Sequence, residues 1–275
     1  MKELIFAVSL FGLMISMFAV WTIGFSQPVA SITDFESRDK YRGKVYPVVM
    51  ELFTSQGCSS CPAADDLLGT LATEGKILGA EIIPLSFHVD YWDRLGWKDS
   101  YSDAAFSVRQ RDYANLFQQH NYTPQIVVDG STEFVGSNRT KALRAIEKSR
   151  RLPKIDLNLA VVKKGDTISF NVTAPDELPN DGDYELVTLV TLDHVKDVVT
   201  AGENRGRTLE HYSVVVFMNQ TDLMTGGSKL KAELNFPATI VPREKGNAHV
   251  VVLLQNKSTL QIAGAARVPL ANFYK

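Results

Sequence analysis

The sequence predicts an α/β domain carrying a helical insert, followed by a β-rich, sandwich-like C-terminal domain. Between residues 45 and 89 an apolar run, a helical pattern and a second apolar run follow one another. Residues 90–122 hold a further helical pattern, too long for a plain loop. After Leu152-Pro153 the texture changes to about seven short β-rich runs separated by turn residues. With 275 residues, 45% of them hydrophobic and 22% charged, the chain can bury a sizeable core in one large or two medium domains. A formal net charge of -2 and the lack of a basic stripe argue against a nucleic-acid partner.

At the N-terminus, Lys2 precedes a nearly uncharged run from Leu4 to Ser26, which reads as an export segment. Gly24 and Ser26 are small residues at -3 and -1 for cleavage after Ser26, and the same run is long enough to anchor the chain in a bilayer if it is kept. Residues 1–26 are therefore a signal peptide or N-terminal anchor, with cleavage favoured, and residues 27–44 a polar linker. Either way the folded part is expected outside the cytoplasm, periplasmic or secreted, where disulfides persist. Contact with the membrane is expected only through an uncleaved N-terminal segment.

The first domain is read over residues 45–152. Lys44 to Phe53 is a buried strand, Ser59 to Thr73 a helix with Ala63, Ala64, Leu67, Leu68 and Leu71 at helical spacing, and Ala80 to Val89 a second strand. That order implies a right-handed parallel crossover. Ala104 to Gln119 has helical spacing within the insert at about 90–122, which also carries the aromatic cluster Tyr91, Trp92, Trp97 and Tyr101. Thr123 to Gly130 reads as a short strand and turn, Glu133 to Val135 as a second strand, and Asn138 to Arg150 as a capped helix. Residues 153–275 make the second, sandwich-like domain.

The chain has two cysteines, Cys58 and Cys61, and they stand between the first strand and the helix. Free N–H groups and the helix dipole stabilise a thiolate there and lower its pKa. Cys58 is expected to be the exposed partner, and Cys61 to lie one turn into the helix on the same side. A purely structural bridge is the plainer reading, but so small a loop gains little chain entropy. A metal site is the other, with His88 as the third ligand to Cu(I) beside Cys58 and Cys61.

Cys-x-x-Cys opening a helix after a buried strand, with Thr123-Pro124 starting a strand downstream, resembles the thioredoxin superfamily. The resemblance implies a thioredoxin-like fold for residues 45–152, a cis proline facing the dithiol, and a substrate chain paired to the backbone before it. Thr123 and Pro124, with Trp92 nearby, are thus the expected substrate-binding residues. It also implies that an acid near the position of Glu51 takes the proton from Cys61; a surface carboxylate at a strand end is the bland alternative. A closer similarity lies in Glu51 to Asp65, Ser86 to Trp92, Leu95 to Asp99, Tyr122 to Gly130 and Gly202 to Leu209, which look like the bacterial family called domain of unknown function 1223. That family brings no activity with it.

Two function classes follow. One is an exported thiol-disulfide oxidoreductase in which Cys58 attacks and Cys61 resolves a mixed disulfide, acting on protein thiols or disulfides of the cell envelope with no cofactor beyond the redox-active disulfide. The other is an envelope protein that holds Cu(I) or docks a partner without turnover. The charged turn Gly202 to Leu209 is either a β-loop held by its own ion pairs or a latch whose charges reach Asp90, Asp93 or Asp99 and set access to Cys58.

Overall fold

The computed structural model describes residues 43–223, 229–240 and 248–270. The expected export segment and the linker up to residue 42 lie outside them. Among the described residues no helix is long and apolar enough to cross a membrane.

Strand β1 (Val48–Thr54) is buried at every position, as an apolar run bounded by turn residues leads one to expect. A turn carries the chain into α1 (Pro62–Glu74), where Pro62 is tolerated because a first-turn N–H has no intrahelical partner. Gly75, at φ 66°, ends the helix by donating its N–H to Leu71 O. The short β2 (Lys76–Ile77) leads to β3 (Ala80–His88), which pairs parallel with β1 from Val48↔Ile82 to Thr54↔His88. A 3-10 turn over Asp90–Leu95 precedes α2 (Ala104–Phe117), capped by the Asp103 carboxylate. Strands β4 (Gln125–Val128) and β5 (Thr132–Val135) form a hairpin across Asp129 and Gly130, both at positive φ, and α3 (Arg139–Ser149) follows.

The remaining strands are β6 (Asn158–Lys164), β7 (Thr167–Glu177), β8 (Tyr184–Val198), β9 (Thr208–Asp222), β10 (Lys229–Pro237), β11 (Ala248–Asn256) and β12 (Ile262–Pro269). They do not build a sandwich of their own. Strands β8, β9, β11 and β12 continue the first sheet, giving the order β12-β11-β8-β9-β3-β1-β4-β5 with β2 against β3. The junction is the parallel pair Ser86↔Val214 between β3 and β9. Among the described residues, β10, β7 and β6 make a second, three-stranded sheet.

The expected fold class, a thioredoxin-like α/β domain with a helical insert ahead of a sandwich-like domain, is therefore overturned. The described chain is mostly β, organised on one mixed nine-stranded sheet with few helices. The physical reason is a shared core. Val49, Phe53 and Phe87 lie in one apolar cluster with Phe106 and Tyr113 of α2 and with Val187, Leu189, Val215, Val251 and Leu253 of the later strands. Each such side chain contributes about 1.5–3 kcal/mol by leaving water, so the two halves are more stable joined than apart.

The sheet's two faces matter for the site. Along β1, Val48, Met50 and Leu52 meet α1 and α3, whereas Val49 and Phe53 meet α2. Alternation thus assigns every polar residue of β1 to one helix layer or the other.

Candidate functional site

Cys58 and Cys61 are joined in a disulfide, with Cα atoms 5.4 Å apart. The local chain makes this possible. Cys58 N–H donates to Ser55 O, and Cys61 N–H donates to Cys58 O, so two successive turns bring the sulfurs together. The helix begins only at Pro62, and Cys61 is its N-cap rather than a residue one turn inside it. Neither sulfur is the exposed partner expected: Cys58 is 1% accessible and Cys61 0%. The exposed residues of the motif are Ser59 and Ser60. Ser60 Oγ stands 3.3 Å from Cys58 Sγ and donates to it while the disulfide is closed.

What covers the disulfide is the β8–β9 loop. Asn204, fully buried, donates from Nδ2 to both Gln56 O and Cys58 O at 2.9 Å. The Glu203 carboxylate accepts from Ser59 N–H at 2.9 Å, and the Ser59 side chain first, then its N–H, hold Glu203 below the ordinary carboxyl range. A Cβ on Gly202 would lie 3.2 Å from Trp97 Cβ, so the loop presses on the aromatic cluster. The latch reading of this turn holds in position, but its contacts differ from those expected. Glu203 and Asn204 grip the cysteine loop, while Arg207 turns back to Asn204 Oδ1. Gln56 ties the elements together: its N–H donates to Asp99 at 2.8 Å, its Nε2 to Asp197 at 3.1 Å, and its Oε1 accepts from Trp97 Nε1 at 2.9 Å.

The expected substrate-binding residues sit around the same turn. Trp92 Nε1 donates to Thr123 Oγ1 at 2.8 Å, and Trp92 Cβ is 3.3 Å from where a Cβ on Gly57 would stand. The Thr123-Pro124 bond is cis. Pro124 Cβ and Ala64 Cβ both lie within 3.2 Å of a Cβ built on Gly136, which places the proline beside the first turn of α1.

Glu51 is elsewhere. It shares the α2 face of β1 with Val49 and Phe53, opposite the layer that carries α1. Its carboxylate accepts from Arg109 Nε at 2.6 Å, Arg109 Nη2 at 3.0 Å and Tyr113 Oη at 2.6 Å, all deep in the core. Burial works against a charged Arg109, but the Glu51 carboxylate holds its pKa above the ordinary range. The expected role of Glu51 as the base for Cys61 is thus corrected: it is the anion of a buried ion pair.

His88, expected as a third Cu(I) ligand, is drawn instead to Asp99. Nδ1 lies 2.7 Å from Asp99 Oδ2, with both side chains fully buried. Burial opposes its charge, yet the charge and hydrogen bond of Asp99, helped by Asp65 and Asp197, raise the His88 pKa above its usual value. Burial likewise works against the Asp99 carboxylate, but His88 and the amides of Gln56 and Tyr101 hold it down at about 2. Among the described residues no group of three His, Cys, Asp or Glu side chains is disposed to hold a metal.

Sequence reasoning did not single out Asp65, whose Oδ2 accepts from Thr54 Oγ1 at 3.2 Å, His211, whose Nδ1 lies 3.5 Å from Asp65 Oδ1, or Asn204, which grips the cysteine loop. Asp65 left a signal: it stands three residues before Leu68 on the apolar stripe of a helix, where a carboxylate needs a reason. His211 left none, since a histidine within a β-patterned run carries no mark of which strand it will face.

The chain belongs to the family described as protein of unknown function DUF1223, whose pattern matches residues 49–255. No curated protein matches its sequence. Among solved structures it is similar to a protein of Agrobacterium tumefaciens, with 24% identity and TM-score 0.60 over 82% of this chain and 96% of the other. It is also similar to HBP35 of Porphyromonas gingivalis, with 15% identity and TM-score 0.54 over 83% of this chain and 76% of the other. At these identities the likeness shows the fold alone.

Proposed function

We propose that this DUF1223 protein is an exported thiol-disulfide oxidoreductase acting on protein thiols or disulfides of the cell envelope. The observation that carries it is the disulfide between its two cysteines, at the N-cap of α1 with a serine hydroxyl directed at Cys58 Sγ. When the pair is reduced, the Ser60 hydroxyl donates to the Cys58 thiolate and favours it over the thiol. In the reducing direction, the Cys58 thiolate attacks a substrate disulfide and releases one substrate thiolate, which takes up a proton. Cys61 then attacks Cys58 Sγ, closes the intramolecular disulfide and releases the second substrate thiol. In the oxidising direction the same steps run backwards and two electrons pass from substrate dithiol to protein.

Trp92, Thr123 and Pro124 border the motif and receive the substrate chain. Because the sulfurs are covered, the β8–β9 loop must lift for a protein substrate to reach Cys58. This couples access to the breaking of three hydrogen bonds.

The test is insulin reduction and oxidation of a reduced scrambled protein by the full chain, beside Cys58→Ser and Cys61→Ser. Turnover abolished in Cys58→Ser, with a trapped mixed disulfide in Cys61→Ser, is the expected result. No turnover in either direction, with stoichiometric Cu(I) uptake by the reduced protein, would replace this reading with that of a carrier.

A further inference from the structure

Among the described residues, four buried polar atoms gather beneath the start of α1 without a hydrogen-bond partner: Asp65 Oδ1, His88 Nε2 and both ring nitrogens of His211. Such atoms are costly to bury and call for a task. They belong to one continuous chain of side chains. Asp65 lies four residues after Cys61, one helical turn along the same face, and its N–H donates to Cys61 O at 3.1 Å. Asp65 Oδ2 accepts from Thr54 Oγ1 at 3.2 Å, and Oδ1 stands 3.5 Å from His211 Nδ1. The His211 ring meets the His88 ring edge to face at 4.6 Å, and His88 ends on Asp99. None of the four side chains is more than 3% exposed.

Three neighbouring strands present this chain to one helix. Thr54 and His88 are register partners on β1 and β3, β9 lies on the other side of β3, and α1 covers all three. His211 thus reaches Asp65 only because the late strand β9 joined the early sheet.

We propose that Asp65 and His211 are the proton-transfer pair for Cys61, an inference that rests on the oxidoreductase reading and adds the residues that reading lacks. During resolution the Cys61 thiol passes its proton to the pair, and its sulfur forms the bond to Cys58 Sγ. The bond between Cys58 and the substrate sulfur breaks, and the substrate leaves with the electron pair and takes a proton from solvent, while the pair later releases its own. The cysteines are oxidised by two electrons and the substrate disulfide is reduced by two. In the reverse direction a substrate thiolate attacks Cys58, and Cys61 departs with the bonding pair and takes its proton from Asp65 and His211.

The groups around the pair fit this role. His88 from β3 faces His211, Asp99 and Tyr101 follow from the turn after the 3-10 segment, and Asp197 comes from β8. Glu210, next to His211 on β9, is occupied by Lys196 and His194 at the surface, and Tyr212 packs over Gly69 of α1. A proton on His211 meets the His88–Asp99 ion pair on one side and the Asp65 carboxylate on the other. His211 therefore joins Asp65 to that ion pair entirely within buried side chains.

Opening of the protein's own disulfide by dithiothreitol reads this step without any protein substrate. Rates are compared between wild type, Asp65→Asn, His211→Gln and the double variant from about pH 5 to about pH 10, across the ordinary thiol range. Each single variant is expected to be slower by about 10²-fold at low pH. The deficit closes above about pH 8.5, where Cys61 leaves as a stable thiolate unaided. The double variant is no slower than the worse single one. Wild-type rates, or the same deficit at every pH, would overturn the pair. If the variants do not fold, the wild-type protein decides: the His211 imidazole must titrate differently by NMR in the disulfide and dithiol forms, and identical titration overturns the proposal. A chain without insulin turnover that still shows the pH-dependent deficit sinks the enzyme reading and leaves the pair standing. Full turnover with a pH-independent deficit does the reverse.

Discussion

The central sheet carries two buried ionic clusters, one on each face, and they are built differently. On the α2 face, Glu51, Arg109, Tyr113 and Gln255 satisfy one another: Arg109 bonds to all three partners, and Gln255 Nε2 donates to Tyr113 Oη at 3.0 Å. On the α1 face, Asp65, His211, His88 and Asp99 leave four polar atoms unpaired. A closed network of this kind holds the fold, because every polar atom that left water has a partner. An open one is suited to gaining and losing a proton. Burial of a charge does not by itself distinguish the two clusters; the state of their hydrogen bonds does.

The contrast is open to experiment. Arg109→Ala strands the Glu51 carboxylate in the core and should cost about 3–5 kcal/mol, read as a lower denaturant midpoint, while any surviving folded protein keeps the pH dependence of its disulfide opening. A shift in that pH dependence would show that the two faces are coupled after all.

Asp99→Asn should cost less, about 2 kcal/mol from its depressed carboxyl pKa, and only over part of the pH range. The sign follows from the two shifts. Asp99, held at about 2, stabilises the fold above its unfolded value of 3.8, and that stability is lost as pH falls towards 2. His88, raised above 6.5, stabilises below 6.5, and that stability is lost as pH rises through its folded pKa. The difference between wild type and Asp99→Asn, measured as a midpoint against pH, should therefore be greatest between about pH 4 and about pH 6.5. A flat difference would mean that the pair is not charged.

Asn204→Ala removes two buried hydrogen bonds from the loop over the disulfide and should cost about 1–2 kcal/mol. It should also speed opening of the disulfide by dithiothreitol about tenfold, since access depends on the same contacts. Smallest of all, Glu203→Gln should leave the denaturant midpoint unchanged and raise the same rate only a few-fold. If neither loop variant changes that rate, the loop is not the cover it resembles.

Much of the site was legible before the fold. The spacing of Cys58 and Cys61, the helix that follows and the hairpin at Asp129-Gly130 are local matters, set by covalent reach and by turn residues. So was the family, through stretches such as Ser86 to Trp92. Glu51 and Asp65 are both inward carboxylates, on opposite faces of the sheet. Both residues carry the same chemistry, and the choice depends on which face of β1 the helix covers. The C-terminal strands were legible as strands, yet their destination was not. Pro84, a residue that ordinarily marks an edge strand, sits in β3 with β1 on one side and β9 on the other.

What the sequence determined by itself is the dithiol, its turn, the run of helices and strands, and membership of a family. These depend on periodicity and spacing over a few residues, which a single chain displays. The tertiary structure alone decided that β9 lies beside β3, that Asn204 and Glu203 cover Cys58, and that His211 stands against Asp65. Each of these joins residues more than 120 positions apart, and no local preference chooses among the strand edges such a segment can join. Burial of the shared apolar face does.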